Sequence, residues 1–312
     1  MNAAEALGVR YPLLQSGMGG VAGPELAAAV SNVGAAGCFG GYKLDGTALA
    51  AALDQLLTLT GAPVGINLIP EVVGDEKLRR QVEEILAGTP DRVYLSFFGL
   101  PAPDVLRRVR DAGRLSAVQV GAVEDARAAA EYTQLVIVQG EEAGGHLLGQ
   151  RGRDDLIEAV RKELRDIAVV AAGGIGGRAD ADRAFAAGAD GICVGTAFVP
   201  VAESRAHPAF KDAVIAAGPG DTVITDVYRI GWPGRRHRAL RTAATEQPGR
   251  PARFIGRTEV GGKPHLVPRY SSAVPTVTTT GEIAEMAQYC GLSCASVTTR
   301  TTAATVVQSL VG

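Results

Sequence analysis

Cysteine is scarce in this chain. Four occur in 312 residues, Cys38, Cys193, Cys290 and Cys294, too few for the disulfide framework of a secreted scaffold. Cys290 and Cys294 sit four apart, but no His or Cys pair lies nearby to complete a zinc site, so no metal is expected. Long apolar runs are missing too, and nothing approaches the ~20 residues that a membrane helix needs. No basic stretch followed by an apolar one is seen at the start, so no secretory signal is read and the expectation is a soluble, cytoplasmic protein. Neither sign of charge is in excess: Lys and Arg total 31, Asp and Glu 33, and the formal net charge is -2. That balance gives no reason to expect nucleic acid or an anionic membrane as partner. The one basic run, Arg235-Arg236-His237-Arg238, reads as a solvated face or an anion-binding patch. The first half has no clean GxGxxG with an acidic residue about 20 further on, which argues against a dinucleotide-binding Rossmann half.

What is present is glycine, with 40 residues, and a chain that is 46% hydrophobic. This suits a fold with many tight strand–helix turns in one large core. Short apolar runs recur at 12–15, 37–41, 63–68, 92–97, 115–120, 135–138, 167–172 and 191–194. Where they are continuous rather than alternating, as at 135–138, they read as strands buried on both faces. Helical stretches separate them at 24–33, 47–58, 76–87, 102–112, 123–131, 154–164 and 179–187. Strands alternating with helices imply a parallel sheet with helices outside it, and eight such units close a (β/α)₈ TIM barrel over residues 1–218. A doubly wound open sheet is the runner-up. Beyond about residue 200 the rhythm stops. A helical region begins at 201–217, and 221–226 is extended. Residues 231–234 form a loop, and helices are read at 281–289 and 303–310. Residues 219–312 are taken as a smaller lid that returns to the barrel.

In such a barrel the active site forms where strands end at their C-termini. The sixth strand leads into Gln139-Gly-Glu-Glu-Ala-Gly144-Gly145-His146-Leu-Leu-Gly149. Adjacent glycines let the backbone take positive φ and let a ligand come close. His146 brings a side chain that titrates near neutrality, a candidate acid/base. Met18 within its glycine turn (Gly17, Gly19), Asn67, Gln119 and Gln139 leave other strands at the same end. So do the loop at 173–177 with Gly173 and Gly174, and Gly195-Thr196 preceded by Cys193 and Val194. The last two loops place backbone N–H groups at helix starts, which is how glycine turns bind phosphate. Amides of Asn67, Gln119 and Gln139 both donate and accept, as a flavin's pyrimidine edge and ribityl chain require. The combination suits FMN. The plainer alternatives remain open at this point: turn glycines, amides that tie down loops, and a gap-filling Met18.

These residues form a pattern. Gln15-Ser-Gly-Met18-Gly, Val64-Gly-Ile-Asn67-Leu, the 139–146 stretch, Ala172-Gly-Gly-Ile175, Val194-Gly-Thr196-Ala-Phe198 and Glu203-Ser204-x-x-His207-Pro-x-Phe-Lys211 occur in this order. Together they resemble the nitronate monooxygenase (2-nitropropane dioxygenase) family over about residues 10–215, with a weaker echo at 286–293. The resemblance implies an FMN-containing barrel that oxidises nitronates with O₂ and without a metal. It implies His146 as catalytic base and FMN held by Met18, Asn67, Gln139, Gly144, Gly174, Gly195 and Thr196. FMN-dependent enoyl-ACP reductases and quinone reductases share the glycine–glycine–histidine type of loop. The segment 226–235 departs from the pattern, and His146 is one residue further from the next glycine than in the commonest form. A second reading is therefore an NAD(P)H-driven FMN reductase of an enoyl thioester or quinone, with Arg235, Arg236 and Arg238 lining a basic groove. A third is a non-redox phosphosugar-binding barrel or an inactive scaffold. A small-molecule substrate is the expected partner in the first two readings, and the oligomeric state is not legible.

Overall fold

The computed structural model describes residues 2–312. Its main sheet has eight parallel strands. They are β1 (Leu13–Gln15), β2 (Gly37–Phe39), β3 (Val64–Leu68), β4 (Val93–Phe98), β5 (Ser116–Val120) and β6 (Leu135–Gln139), then β8 (Ala168–Ala172) and β9 (Gly191–Val194). The two-residue strand β7 (Gly145–His146) intervenes and stands outside this sheet. Each barrel strand pairs with its neighbour in parallel register from β2 through β9, and β9 pairs with β1. The ring shuts through a single parallel bridge, Leu14 to Ala36. This is the (β/α)₈ barrel that the alternation of strands and helices requires.

Side chains alternate across each strand, so the barrel has two cores. Outward-pointing Leu13, Ile66, Leu95, Val118, Val136 and Val169 pack under the surrounding helices. Inward-pointing Leu14, Tyr94, Ala117, Ile137 and Val170 fill the lumen. The short N-terminal helix Ala3–Leu7, unread in the sequence, plugs the lumen from below with Ala3 and Leu7. The same alternation points Asn67, Gln119 and Gln139 inward at the upper end of their strands. The rule that makes the barrel therefore also gathers polar groups at its mouth.

The chain past the barrel is richer in strand than its composition implied. β10 (Thr222–Thr225) and β11 (His237–Leu240) pair antiparallel, and β11 pairs onward with β7. A second small sheet joins β12 (Phe254–Val260), β13 (Lys263–Pro268) and β14 (Thr280–Gly281). Two readings need correction. Residues 281–289 are not a helix: after β14 and one 3₁₀ turn at Ile283–Glu285 the chain is extended, and Tyr289 bridges Ala239. Burial of Met286 and Ala287 under the lid sheets overrides local helix propensity there. The basic run is a solvated face only in part: Arg235 and Arg236 reach solvent, whereas His237 and Arg238 lie buried in β11. The expected helices at 201–217 and 303–310 are Pro208–Ala216 and Ala303–Val311. The second of these buries Val307 and Leu310 on the barrel. No helix among the described residues is long and apolar enough to cross a membrane, and all four cysteines are buried free thiols.

Candidate active site

The C-terminal ends of the strands open into one cavity of about 1150 Å³, counting the part open to solvent. After β1, Gly17 packs on Asn67 and Gly19 on the ring of Tyr42, each too close for a Cβ, with Met18 between them on the cavity wall. Asn67, Gln119 and Gln139 line the cavity from below. Asn67 Nδ2 donates to Ser96 Oγ at 3.3 Å. Gln139 is already engaged. Its Nε2 donates to the His146 carbonyl at 3.0 Å, and its Oε1 accepts from Leu148 N–H at 2.8 Å. The amide therefore clamps the backbone across Leu147, directly after the histidine.

Gly144, Gly145, Gly173, Gly174, Cys193, Gly195 and Thr196 also line the cavity. Val194 does not: its side chain points outward into the core, and only its carbonyl serves the site, accepting from Ser16 N–H. The loop at 173–177, expected to bind phosphate, keeps fewer free donors than the sequence implied. The Asp180 carboxylate accepts from Gly176 and Gly177 N–H, each at 3.0 Å, which removes those two donors. Gly174 and Gly195 N–H have no partner among the described residues. Thr196 Oγ1 accepts from Gly291 N–H at 3.0 Å, tying the loop to the C-terminal segment.

The loop from Gln139 to His146 is braced from outside. The Glu142 carboxylate caps Arg153 N–H at 3.0 Å, and Arg153 Nη1 donates to the Gly173 carbonyl at 2.9 Å. Arg238, from the lid, donates through Nε and Nη2 to the Glu141 carbonyl at 3.1 and 2.8 Å. Gly144 abuts Cys290 and Gly291, and Gly145 adopts φ 81°.

His146 is 5% exposed. Its Nε2 is buried with no partner among the described residues. Trp232 stacks flat on it, with centroids 3.6 Å apart and planes at 15°, while Tyr289 and His237 meet it at 5.1 Å. Burial pushes its pKa down to about 2, and His237 and Arg235 add to the effect, so the ring is neutral at physiological pH. The imidazole is unprotonated and presents an unpartnered nitrogen at the cavity wall, while the burial that keeps it neutral also lowers its basicity.

Tyr42, Trp232, Tyr289 and Ser293 belong to the cavity wall but were not read from the sequence. Tyr42 was findable, since it sits in the loop that leaves β2 at the same end of the barrel. Trp232 and Tyr289 reach the mouth only through the lid.

The sequence model of nitronate monooxygenase matches residues 2–312. The chain belongs to the nitronate monooxygenase family. That family consists of oxidoreductases, flavin-dependent in general. Among its relatives, the chain is 34% identical over 240 residues to (3aS,4S,5R,7aS)-5-hydroxy-7a-methyl-1-oxo-octahydro-1H-indene-4-carboxyl-CoA dehydrogenase of Rhodococcus jostii. The match covers 76% of this chain and 65% of that protein. It is 32% identical to the protein of the same name from Mycobacterium tuberculosis, covering 78% of this chain and 66% of that one. The match thus spans just under two thirds of these relatives. A nitroalkane oxidase structure from Streptomyces ansochromogenes superimposes with TM-score 0.77 at 26% identity, covering 98% of this chain and 95% of that one. FabK from Thermotoga maritima superimposes with TM-score 0.80 at 23% identity, covering 99% and 94%, a likeness of fold.

Proposed function

We propose that the protein uses FMN and O₂ to oxidise nitronates, or nitroalkanes with an acidic α-C–H, and that His146 is its catalytic base. The observation that carries the reading is the buried, neutral His146 with an unpartnered Nε2, in a cavity whose far wall offers unpaired glycine N–H groups. The donor set fits FMN. Gly174, Gly195 and Thr196 supply the phosphate wall, with Gly173 shaping the turn. Asn67 and Gln119 present amides to the ring edge. Gly17, Met18, Gly19, Gly144, Gly145 and Cys193 line the space, and Gln139 acts by clamping His146. FMN supplies, when bound, uptake of electrons from the substrate and their delivery to O₂. His146 Nε2 takes the α-proton of a neutral nitroalkane, or stands beside the anion of a preformed nitronate. The aromatic wall of Trp232 and Tyr289 excludes water from that transfer. We assign the barrel to residues 1–218 and the lid to 219–312, with its C-terminal helix returning to the barrel.

The relatives named as carboxyl-CoA dehydrogenases favour a second reading, a CoA thioester as substrate. The α-C–H of a thioester is also acidic, so the same base would serve. Lys43 on the cavity wall, with Arg235 and Arg236 at the lid, would meet its phosphates. Anaerobic titration separates the readings. Bleaching of bound flavin by propane-2-nitronate alone supports nitronate oxidation. Bleaching by a saturated acyl-CoA thioester alone, with none by the nitronate, overturns it in favour of the thioester reading.

A further inference from the structure

Segment 226–235, which the barrel pattern leaves unexplained, comes to rest over the base. Besides lying on His146, Trp232 meets Phe98 edge-on at 5.4 Å and 83°. Its indole N–H donates to Glu71 Oε1. Glu71 lies in the helix Pro70–Val73 that follows β3. The same carboxylate accepts from Arg235 Nε at 3.0 Å and pairs with Arg235 Nη2. One acidic side chain from the barrel thus staples two residues of the lid across the mouth. The Glu71 and Arg235 side chains are 34% and 31% exposed, where water competes for an ion pair and it separates readily. The loop is also jointed. Gly231 and Gly234 flank Trp232-Pro233 at φ 91° and 76°, and Gly234 has nothing within 4 Å of where a side chain would sit.

The indole lines the cavity and covers a face of the imidazole at van der Waals distance. A molecule that delivers its proton to His146 Nε2 must fit beside the indole or push it aside. We propose that Trp232 is the specificity-determining residue of this site, admitting small, flat substrates against His146. Glu71 is the positioning residue that holds it there. The proposal rests on the reading of His146 as base, but its first test does not.

Trp232 is the only tryptophan in the sequence, so fluorescence excited beyond the tyrosine absorption band reports on it alone. In the full-length protein, Glu71→Ala should red-shift the emission and raise the acrylamide quenching constant several-fold. Glu71→Gln, which still accepts the indole N–H, should stay near the wild-type value. Wild-type quenching in Glu71→Ala would overturn the staple. The second arm compares a long-chain with a short-chain alkyl nitronate. Trp232→Ala should raise the long-to-short ratio of kcat/KM about tenfold or more, the scale on which a pocket discriminates single methylenes. An unchanged ratio overturns the specificity role. Should Trp232→Ala fail to fold by circular dichroism, Trp232→Leu carries the same comparison. Should the wild-type protein oxidise no nitronate at all, the proposed function falls. The fluorescence arm then still decides the staple: an unmasked indole in Glu71→Ala supports it, and a masked one overturns it.

Discussion

His237 lies directly opposite His146 in the antiparallel ladder between β11 and β7. It is fully buried. Its Nε2 accepts from Tyr228 N–H at 3.3 Å, and its Nδ1 faces the Arg235 carbonyl at 3.1 Å. Those partners put the proton on Nδ1 and leave the ring neutral. Burial lowers its pKa, opposed by the Arg235 carbonyl and by Asp226. His146 is therefore fixed to a strand whose other edge carries the lid. Replacing His237 with Ala strands the Tyr228 N–H and leaves a void, and should cost about 2 to 4 kcal/mol in urea unfolding. A loss below about 1 kcal/mol would show that other contacts hold the ladder.

His146→Asn should keep FMN bound, because the phosphate wall we propose for it lies on other loops. Turnover of a neutral nitroalkane should fall by ~10²–10⁴, the usual worth of a positioned base. A preformed nitronate has already lost its proton and should lose far less. Equal losses on the two substrates would remove proton transfer from the role of His146.

The buried histidine also predicts a pH dependence of stability. Folded His146 stays neutral down to about pH 2, whereas an unfolded histidine takes its proton near 6.5. Below that pH the unfolded chain binds a proton that the folded chain does not. Stability therefore falls as pH drops from about 6.5, by up to ~1.4 kcal/mol per unit for this group. His237, whose pKa is lowered as well, acts in the same sense. Urea titrations between pH 7 and 4.5 should give a flatter stability curve for His146→Asn than for the wild type. Parallel curves would place the wild-type imidazole in water. In the free enzyme, wild-type kcat/KM should show no acid limb near 6.5. Trp232→Ala admits water to the ring and should bring that limb up toward 6.5.

The barrel was legible because each stave is a short apolar run leaving through a glycine or an amide. Leu135-Val-Ile-Val138 before Gln139 shows this best. The lid was not, for two physical reasons. In the hairpin from β12 to β13, Arg257, Glu259, Lys263 and His265 face solvent and leave little apolar patterning. The Gly261-Gly262 turn between the strands was the available signal. Residues 286–289 are extended only because they pack against β11 and β12, which no local pattern encodes. Most of the expected site residues share one cavity, since strand alternation gathers them there. Val194, at an outward position, does not. The Asp180 cap on Gly176 and Gly177 depended on a side chain four residues on folding back. Trp232 comes from 86 positions beyond His146, a pairing that only the fold makes.

Two glycines at the mouth separate folding from ligand binding. At Gly144 an added Cβ would lie 2.5 Å from Gly291 N and 2.7 Å from the Cys290 carbonyl carbon. Both are backbone atoms that cannot rotate away. Gly144→Ala should therefore destabilise the fold whether or not FMN is present, by about 1 to 3 kcal/mol of overpacking. At Gly195 the backbone has φ -112°, which any residue adopts, and a Cβ would rest at 3.6 Å from Met18 Sδ, ordinary contact. Gly195→Ala should leave the apoprotein within about 0.5 kcal/mol of the wild type. It does, however, set a methyl group beside an N–H that we assign to the phosphate. FMN affinity, measured by quenching of flavin fluorescence, should drop by roughly tenfold, about 1.4 kcal/mol. Wild-type affinity in Gly195→Ala would move the phosphate off this loop and leave Gly173 and Gly174 as its remaining wall.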